Sequence, residues 1–228
     1  MRRRLLPILM RLALGATLAS CAAEVDSLSD DLGDEQTADD LLDAPVDPAE
    51  VIELEQKAPP VCVGTGRITY TLQRATMPTE TQRRAYTKIR AAMDKAVAYY
   101  NCHTDVTRAL TVQFEPTVAT ADGNIAGNIR FGAESTFEYT RAMHEIAHTL
   151  GVGTAPRWQS LLHEGLFTGP VATAQLRRIT GKPDDVVHAD RQHFWPYGLN
   201  YVTEVKSEVD VIAHCQMVAA LRTDLGLK

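Results

Sequence analysis

The stretch from Met143 to Gly153 reads M-H-E-I-A-H-T-L-G-V-G and limits most strongly what this chain can do. His144 and His148 are four residues apart, so on a helix both imidazoles leave the same face and can bind one metal ion. Glu145 lies between them in sequence. When zinc lowers the pKa of a bound water to about 7, a carboxylate beside it can take the water's proton. The motif therefore predicts a zinc site built for hydrolysis.

The residues around the motif favour this interpretation over its alternative, a solvated helix that happens to carry two histidines and a glutamate. Ile146, Ala147 and Leu150 are apolar, which predicts an amphipathic and largely buried helix. Buried histidines need a partner. Gly151 and Gly153 follow at once, where a chain that turns back under a metal needs positive φ.

The N-terminus carries an export signal. Arg2, Arg3 and Arg4 precede an apolar run, residues 5–18, that is too short to span a bilayer. The run ends in Leu-Ala-Ser-Cys21, which resembles the lipobox of bacterial lipoproteins. That resemblance implies cleavage before Cys21, which becomes the lipidated N-terminus of the mature protein. The alternative is an ordinary secretory peptide, cut near Ala22 or Ala23.

Residues 22–60 have a different composition, with thirteen Asp and Glu, one Lys and no aromatic residue. Such a stretch cannot bury enough apolar surface to order itself, so we expect a flexible acidic tether. An inhibitory propeptide is the alternative, but the tether has no Cys or His after Cys21. Residues 61–228 carry 18 Lys and Arg against 16 Asp and Glu, and no basic stripe suggests nucleic acid. They are the expected catalytic domain.

Hydrophobic periodicity predicts an α+β domain. The strand, helix, strand, strand, helix order fits a twisted sheet whose last strand lies beside the motif helix, where its edge could pair with an extended peptide. The predicted strands are residues 67–72, 110–114 and 128–131, and a turn is predicted at 120–124. The predicted helices are residues 79–100, the motif helix from Ser135 or Thr136, a short helix near Trp158, residues 173–180 and residues 204–225.

The motif resembles that of the zincin metalloproteases, and its extension through Gly151 is similar to the metzincin branch. Metzincins have a third histidine three residues after that glycine, where this chain has Thr154, a poor zinc ligand. The resemblance implies a zincin-like fold with a mostly parallel sheet and long helices, one of which carries the motif. The motif and the segment H-F-W-P-Y-G-L-N-Y, which begins at His193, are together also similar to sequences of an uncharacterised group of secreted bacterial proteins.

A catalytic zinc usually takes three protein ligands, so the third must come from later in the chain. The candidates are His163, Glu164, His188, Asp190 and His193. We favour His193, because Pro196 and Gly198 make its loop rigid and the neighbouring aromatic residues would shield the site. The segment Pro196-Tyr197-Gly198 can take the place of the metzincin methionine turn. The resemblance also implies a tyrosine that donates to the oxyanion, for which Tyr197 and Tyr201 are candidates; core packing is the alternative for both.

Three cysteines remain after Cys21, and export favours one disulfide among them. Cys102 with Cys215 would join two predicted helical regions, and Cys62 with Cys102 is the rival pair.

Together these features predict a monomeric zinc metallopeptidase that is exported, anchored by lipid to the cell envelope and acts on a protein or peptide substrate. Two alternatives remain. One is a binding module for glycans or glycoproteins, in which Trp158, Trp195 and Tyr197 form a surface. The other is a structural surface lipoprotein.

Overall fold

The structure is a computed structural model and describes residues 61–227. The lipobox Cys21, the signal peptide and the acidic tether lie outside the described residues. The helices are α1 (Glu80–His103), α2 (Tyr139–Thr149), α3 (Pro170–Thr180) and α4 (Glu208–Asp224). The strands are β1 (Arg67–Gln73), β2 (Thr107–Phe114), β3 (Ala121–Gly123), β4 (Asn128–Phe131), β5 (Leu162–His163), β6 (Leu166–Phe167), β7 (His188–Ala189) and β8 (Phe194–Trp195). Short 3-10 helices span Glu134–Thr136, Trp158–Leu161 and Val202–Glu204.

The larger sheet has the strand order β1-β2-β4-β3. Strands β1, β2 and β4 are parallel, and β3 runs antiparallel to β4 at the edge of the sheet. Helix α1 connects β1 to β2, so these three elements form a strand-helix-strand unit. The α+β class is confirmed, with a mixed sheet in which three of the four strands are parallel.

Helices α1, α2 and α4 meet in one apolar core with the sheet. Helix α1 begins with a capping box, in which Thr79 and Gln82 bond each other's backbone N–H. Its buried face repeats every three or four residues, as the sequence predicts. Fully buried side chains in this core are Ile89, Met93 and Tyr100 of α1, Val112 of β2, Ile129 and Phe131 of β4, Met143 and Ile146 of α2, and Met217 and Leu221 of α4. Burying each aliphatic side chain of this size stabilises the fold by about 1.5–3 kcal/mol.

Several predicted elements differ in type or in boundary from the structure, and three differences lie near the motif helix or in the last helix. Residues 121–123, predicted as a turn, form the edge strand β3, because Asp122 lies opposite Arg130 of β4 and forms an ion pair with it. The motif helix begins at Tyr139, after a separate 3-10 helix, and Glu138 is its N-cap without a side-chain bond. At 11 residues it is shorter than expected. Helix α4 begins at Glu208, where Ser207 and Asp210 form a capping box.

The second sheet consists of four antiparallel two-residue strands in the order β5-β6-β7-β8. Strands β7 and β8 form a hairpin, with His188 paired to Trp195 and Ala189 to Phe194. The aromatic segment that the sequence predicts as a rigid loop is therefore partly strand. The tip of this hairpin carries residues 190–193.

The predicted Cys102–Cys215 disulfide is wrong, because the structure pairs Cys102 with Cys62. Cys102 lies near the end of α1, where its carbonyl accepts the N–H groups of Val63 and Gly64 at 3.0 and 2.7 Å, so the preceding Cys62 is held beside it. Cys215 is a free thiol buried in the core face of α4. Within residues 61–227, no helix combines the length and the apolar character needed to cross a membrane.

Candidate metal centre

Helix α2 presents His144 and His148 one turn apart on the same face, as the motif predicts. Their side chains are buried, with 6% and 9% of the residue surface exposed. The ring centroids are 4.7 Å apart, and the two Nε2 atoms are 3.1 Å apart.

His193, at the tip of the β7–β8 hairpin, completes the group. Its ring centroid lies 5.4 Å from that of His144 and 5.6 Å from that of His148. One ligand atom from each of the three histidines lies within 4.8 Å of the others. Asp190 holds the hairpin tip, because its Oδ1 accepts the backbone N–H groups of Gln192 and His193 at 2.8 and 2.7 Å. The group can therefore hold one metal ion.

The hydrogen bonds at the far side of the rings fix which nitrogen each histidine turns toward the others. Nδ1 of His144 donates to the carbonyl of Gly198 at 3.0 Å, and Nδ1 of His148 donates to the carbonyl of Val152 at 2.8 Å. A neutral imidazole with a proton on Nδ1 has only a lone pair on Nε2. Two lone pairs that face each other at 3.1 Å cannot form a hydrogen bond.

A shared cation would remove this repulsion. Zinc bound tetrahedrally at about 2.0–2.1 Å separates two ligand nitrogens by about 3.3 Å, close to the distance seen here. Nδ1 of His193 lies 3.5 Å from Oδ2 of Asp190, so all three histidines carry the kind of outer partner that orients metal ligands. The donor set fits a divalent metal.

The electrostatics keep both helical histidines neutral, as metal ligands must be. Burial lowers the pKa of His144 well below its usual value, and the adjacent His148 lowers it further. Burial is also the main cause that lowers the pKa of His148.

Glu145 lies beside the histidines, with 3% of its surface exposed. Burial raises the pKa of its carboxyl to about 7, against the positive charge of Arg141 and a hydrogen bond from the Gly123 N–H, which both lower it. Strand β3 packs directly on the motif helix here, since a Cβ on Gly123 would lie 2.3 Å from the carbonyl oxygen of Glu145. A carboxyl group with a pKa near neutrality suits proton transfer.

Two cavities meet at this group. One, of about 250 Å³, lies between β3 and the histidines and includes Glu145, Thr154 and Gln192 in its wall. The other, of about 890 Å³, lies on the side of the aromatic segment and includes Trp195, Tyr197 and Tyr201. Arg141, His144 and His193 line both. The group of three histidines, His144, His148 and His193, is thus accessible from two sides.

The turn after β8 supports His144 from outside the ligand set. Tyr197 and Leu199 have positive φ values of 68° and 54°, which are costly for residues with side chains. The conformation presents two consecutive carbonyls inward. Gly198 accepts from His144, and Tyr197 accepts from Nδ1 of the buried His214 at 2.7 Å. His214 of α4 therefore helps hold the turn that orients His144.

The other candidate ligands do not join the group. His163 and Glu164 are exposed and lie 3.9 Å apart in the β5–β6 hairpin. His188 is exposed and stacks on Trp195. Thr154, at the position of the metzincin histidine, donates its hydroxyl to the carbonyl of His148.

The candidate tyrosines line the larger cavity but differ in exposure. Tyr201 is 72% exposed, and Tyr197 is half-buried with a pKa raised by burial. Trp158 is fully buried, and its indole N–H donates to the carbonyl of Asp190.

Two further residues at the centre, Arg141 and His214, have no motif of their own. Arg141 lies three residues before His144 and so shares its helix face, which is a weak signal. His214 breaks the apolar face of α4, but only the fold shows what it contacts.

Comparison with protein-family models, curated proteins and solved structures found no match to this chain.

Proposed function

We propose that residues 61–228 form a zinc-dependent peptidase. The observation that carries the proposal is the buried carboxyl of Glu145 beside three histidines whose ligand atoms converge within 4.8 Å. Three imidazoles and an accessible cavity match the usual catalytic zinc site, which keeps one position for water or substrate. The resemblance to the zincins supports the same conclusion.

His144, His148 and His193 would hold the ion. Zinc in such a site supplies a Lewis acid that polarises the substrate carbonyl and lowers the pKa of a water molecule. Glu145 acts as the general base that takes the proton of the attacking water and then delivers it to the leaving amine. The hydroxyl of Tyr197 or Tyr201, from the larger cavity, is the candidate donor to the oxyanion.

The edge strand β3 supports an extended peptide as the substrate. Strand β3 pairs with β4 on one side and ends the sheet on the other, and its residues line the cavity that contains Glu145. A peptide that adds to a free sheet edge gains main-chain hydrogen bonds and leaves its side chains free to be read by pockets.

A glycan-binding surface is less well supported. It needs exposed aromatic rings, and Trp158 is buried in the core. Of the other two rings, Trp195 is 41% exposed and Tyr197 is half-buried.

The sequence of residues 1–21 supports export and a lipid anchor on Cys21, which would place the peptidase at the bacterial cell envelope. The acidic residues 22–60 would then be the tether, and the enzyme would act as a monomer.

The test separates metal binding from hydrolysis. The chain is purified, and its zinc content is measured for the wild type, His144→Ala, His193→Ala and Glu145→Gln. We expect one zinc per chain in the wild type and in Glu145→Gln, and loss in both histidine variants. Cleavage of a mixed peptide library is then compared between the wild type and Glu145→Gln, and only the wild type should be active. A wild type without zinc, or equal cleavage by both proteins, would contradict the proposal.

A further inference from the structure

Arg141 occupies an unusual position on the motif helix. It is the third residue of α2, it lies on the face of His144, and it lines both cavities that meet at the histidines. A cation in the first turn opposes the helix dipole, and no acidic side chain lies in that turn to offset it. The helix dipole therefore does not explain an arginine at this position.

The guanidinium of Arg141 forms no hydrogen bond, ion pair or ring contact with any residue in the range 61–227. It is half-buried, with five N–H donors in a planar fork.

The carboxylates that line the larger cavity each accept one or more backbone N–H groups. Asp190 accepts the N–H groups of the hairpin tip, Asp210 accepts the N–H groups of Lys206 and Ser207, and Glu204 accepts the N–H of Tyr201. The second cation in the wall, Lys206, is exposed. These bonds come from neutral backbone groups, and within residues 61–227 none of the three carboxylates forms an ion pair with Arg141 or Lys206. Arg141 is therefore a cation beside the histidines that has no carboxylate partner there.

We propose that Arg141 binds a carboxylate of the substrate beside the three histidines, so that substrates that present a carboxylate at this position are preferred. The fork of an arginine matches a carboxylate through two parallel hydrogen bonds, and such charge-assisted bonds are stronger than neutral ones. The carboxylate is either the C-terminus of the peptide or an Asp or Glu side chain. This inference rests on the proposed peptidase function.

The test measures binding, so that it does not depend on turnover. The full chain carries Glu145→Gln, and its zinc content is recorded first, which checks the proposed function separately. Three fluorescent peptides of one sequence are compared: one with an internal Glu and a free C-terminus, one with Gln in place of that Glu, and one with an amidated C-terminus. Each is titrated into the protein with Arg141, Arg141→Lys or Arg141→Gln, and Arg90→Gln on the exposed face of α1 is the matched control.

With Arg141 present, removal of the recognised carboxylate should weaken binding about tenfold or more. The Gln peptide identifies a side-chain carboxylate, and the amidated peptide identifies the C-terminus. Arg141→Gln should abolish the difference, Arg141→Lys should retain part of it because the charge remains, and Arg90→Gln should retain all of it.

Three results would overturn the inference. One is that the protein with Arg141 intact binds all three peptides with equal affinity or binds none of them measurably. Another is a carboxylate preference that survives in Arg141→Gln, which would assign it to the metal or to Lys206. The third comes from kinetics in the otherwise unmodified chain, if Arg141→Gln lowers kcat for all peptides alike and leaves KM unchanged, since that indicates a role at the oxyanion.

Discussion

His214 shows how a residue without a place in the ligand set can control it. Its Nδ1 donates to the carbonyl of Tyr197, so its Nε2 is the acceptor for the hydroxyl of Tyr100 at 2.9 Å. The ring is fully buried and stacks on Phe194. It thereby links α1, α4 and the turn that orients His144 into one hydrogen-bonded unit.

This burial predicts a pH dependence of stability. Burial lowers the pKa of His214 from 6.5 to about 4, the carbonyls of Tyr197 and Met143 oppose this because they stabilise the protonated ring, and the nearby His148 lowers the pKa further. Between pH 6.5 and about pH 4 the ring of His214 is protonated in the unfolded chain but neutral in the folded chain. The free energy of unfolding therefore falls as the pH drops through this range. The full difference is about 3 kcal/mol.

The measurement is urea unfolding with chelator present, at about pH 7 and about pH 4.5, which bracket most of the transition. His214→Phe should be less stable than the wild type at neutral pH and should lose less stability on acidification. His188→Phe, at an exposed histidine, is the control and should follow the wild type. Parallel losses in the wild type and His214→Phe would show that other groups, including His144 and His148, account for the acid sensitivity.

At the scale of elements, the turn after the motif helix packs against the hairpin that carries His193. Gly153 has a φ of 67°, and a Cβ there would lie 2.2–2.7 Å from backbone atoms of Gln192. Gly181, at the end of α3, has a φ of 70° and open space around it. An alanine at either position is strained by the positive φ, but only an alanine at Gly153 also collides with the backbone of Gln192. Comparing the two variants therefore separates the effect of strain from the effect of the collision.

Gly153→Ala should weaken zinc binding about 10- to 100-fold, the usual cost of losing the outer support of a metal ligand. Gly181→Ala should show a similar strain of about 1 kcal/mol in unfolding but unchanged zinc affinity. Competition with a colorimetric chelator measures the affinities. Equal zinc affinities for the two variants would mean that the hairpin tip adjusts freely.

The elements that the sequence predicts well are those whose signal is local. The capping box of Thr79 and Gln82 and the periodic apolar face of α1 specify that helix, and the spacing of the motif places His144 and His148 together. Strand β3 was not predictable, because Ala121-Asp122-Gly123 has the composition of a turn and becomes a strand only by pairing with β4. The same holds for Arg141, because only the fold shows that no carboxylate within residues 61–227 forms an ion pair with it.

At the scale of the whole molecule, the Cys62–Cys102 disulfide ties the segment before β1 to the end of α1. Its closed loop has a sequence separation of 40 residues, for which chain entropy gives a stabilisation of about 2–4 kcal/mol. A reductant should lower the free energy of unfolding by that amount in the wild type and in Cys215→Ala. The reductant should have no effect in Cys62→Ala. An effect that is kept in Cys62→Ala and lost in Cys215→Ala would instead support a Cys102–Cys215 disulfide.

Metal binding also belongs to the whole molecule, because α2 and the β7–β8 hairpin bring the ligands together from residues 144 to 193. The unfolded chain lacks this arrangement, so the proposed zinc ion would bind mainly to the folded state and stabilise it. At 100 times its Kd, zinc should raise the free energy of unfolding by about 2.7 kcal/mol. For a domain of this size that raises Tm by roughly 5–10 °C.

Thermal unfolding with zinc and with chelator measures this shift in Tm. Glu145→Gln should retain the shift, because the carboxyl of Glu145 is not a proposed ligand. His144→Ala and His193→Ala should lose it, and a shift of equal size in either variant would mean that zinc binds elsewhere on the chain.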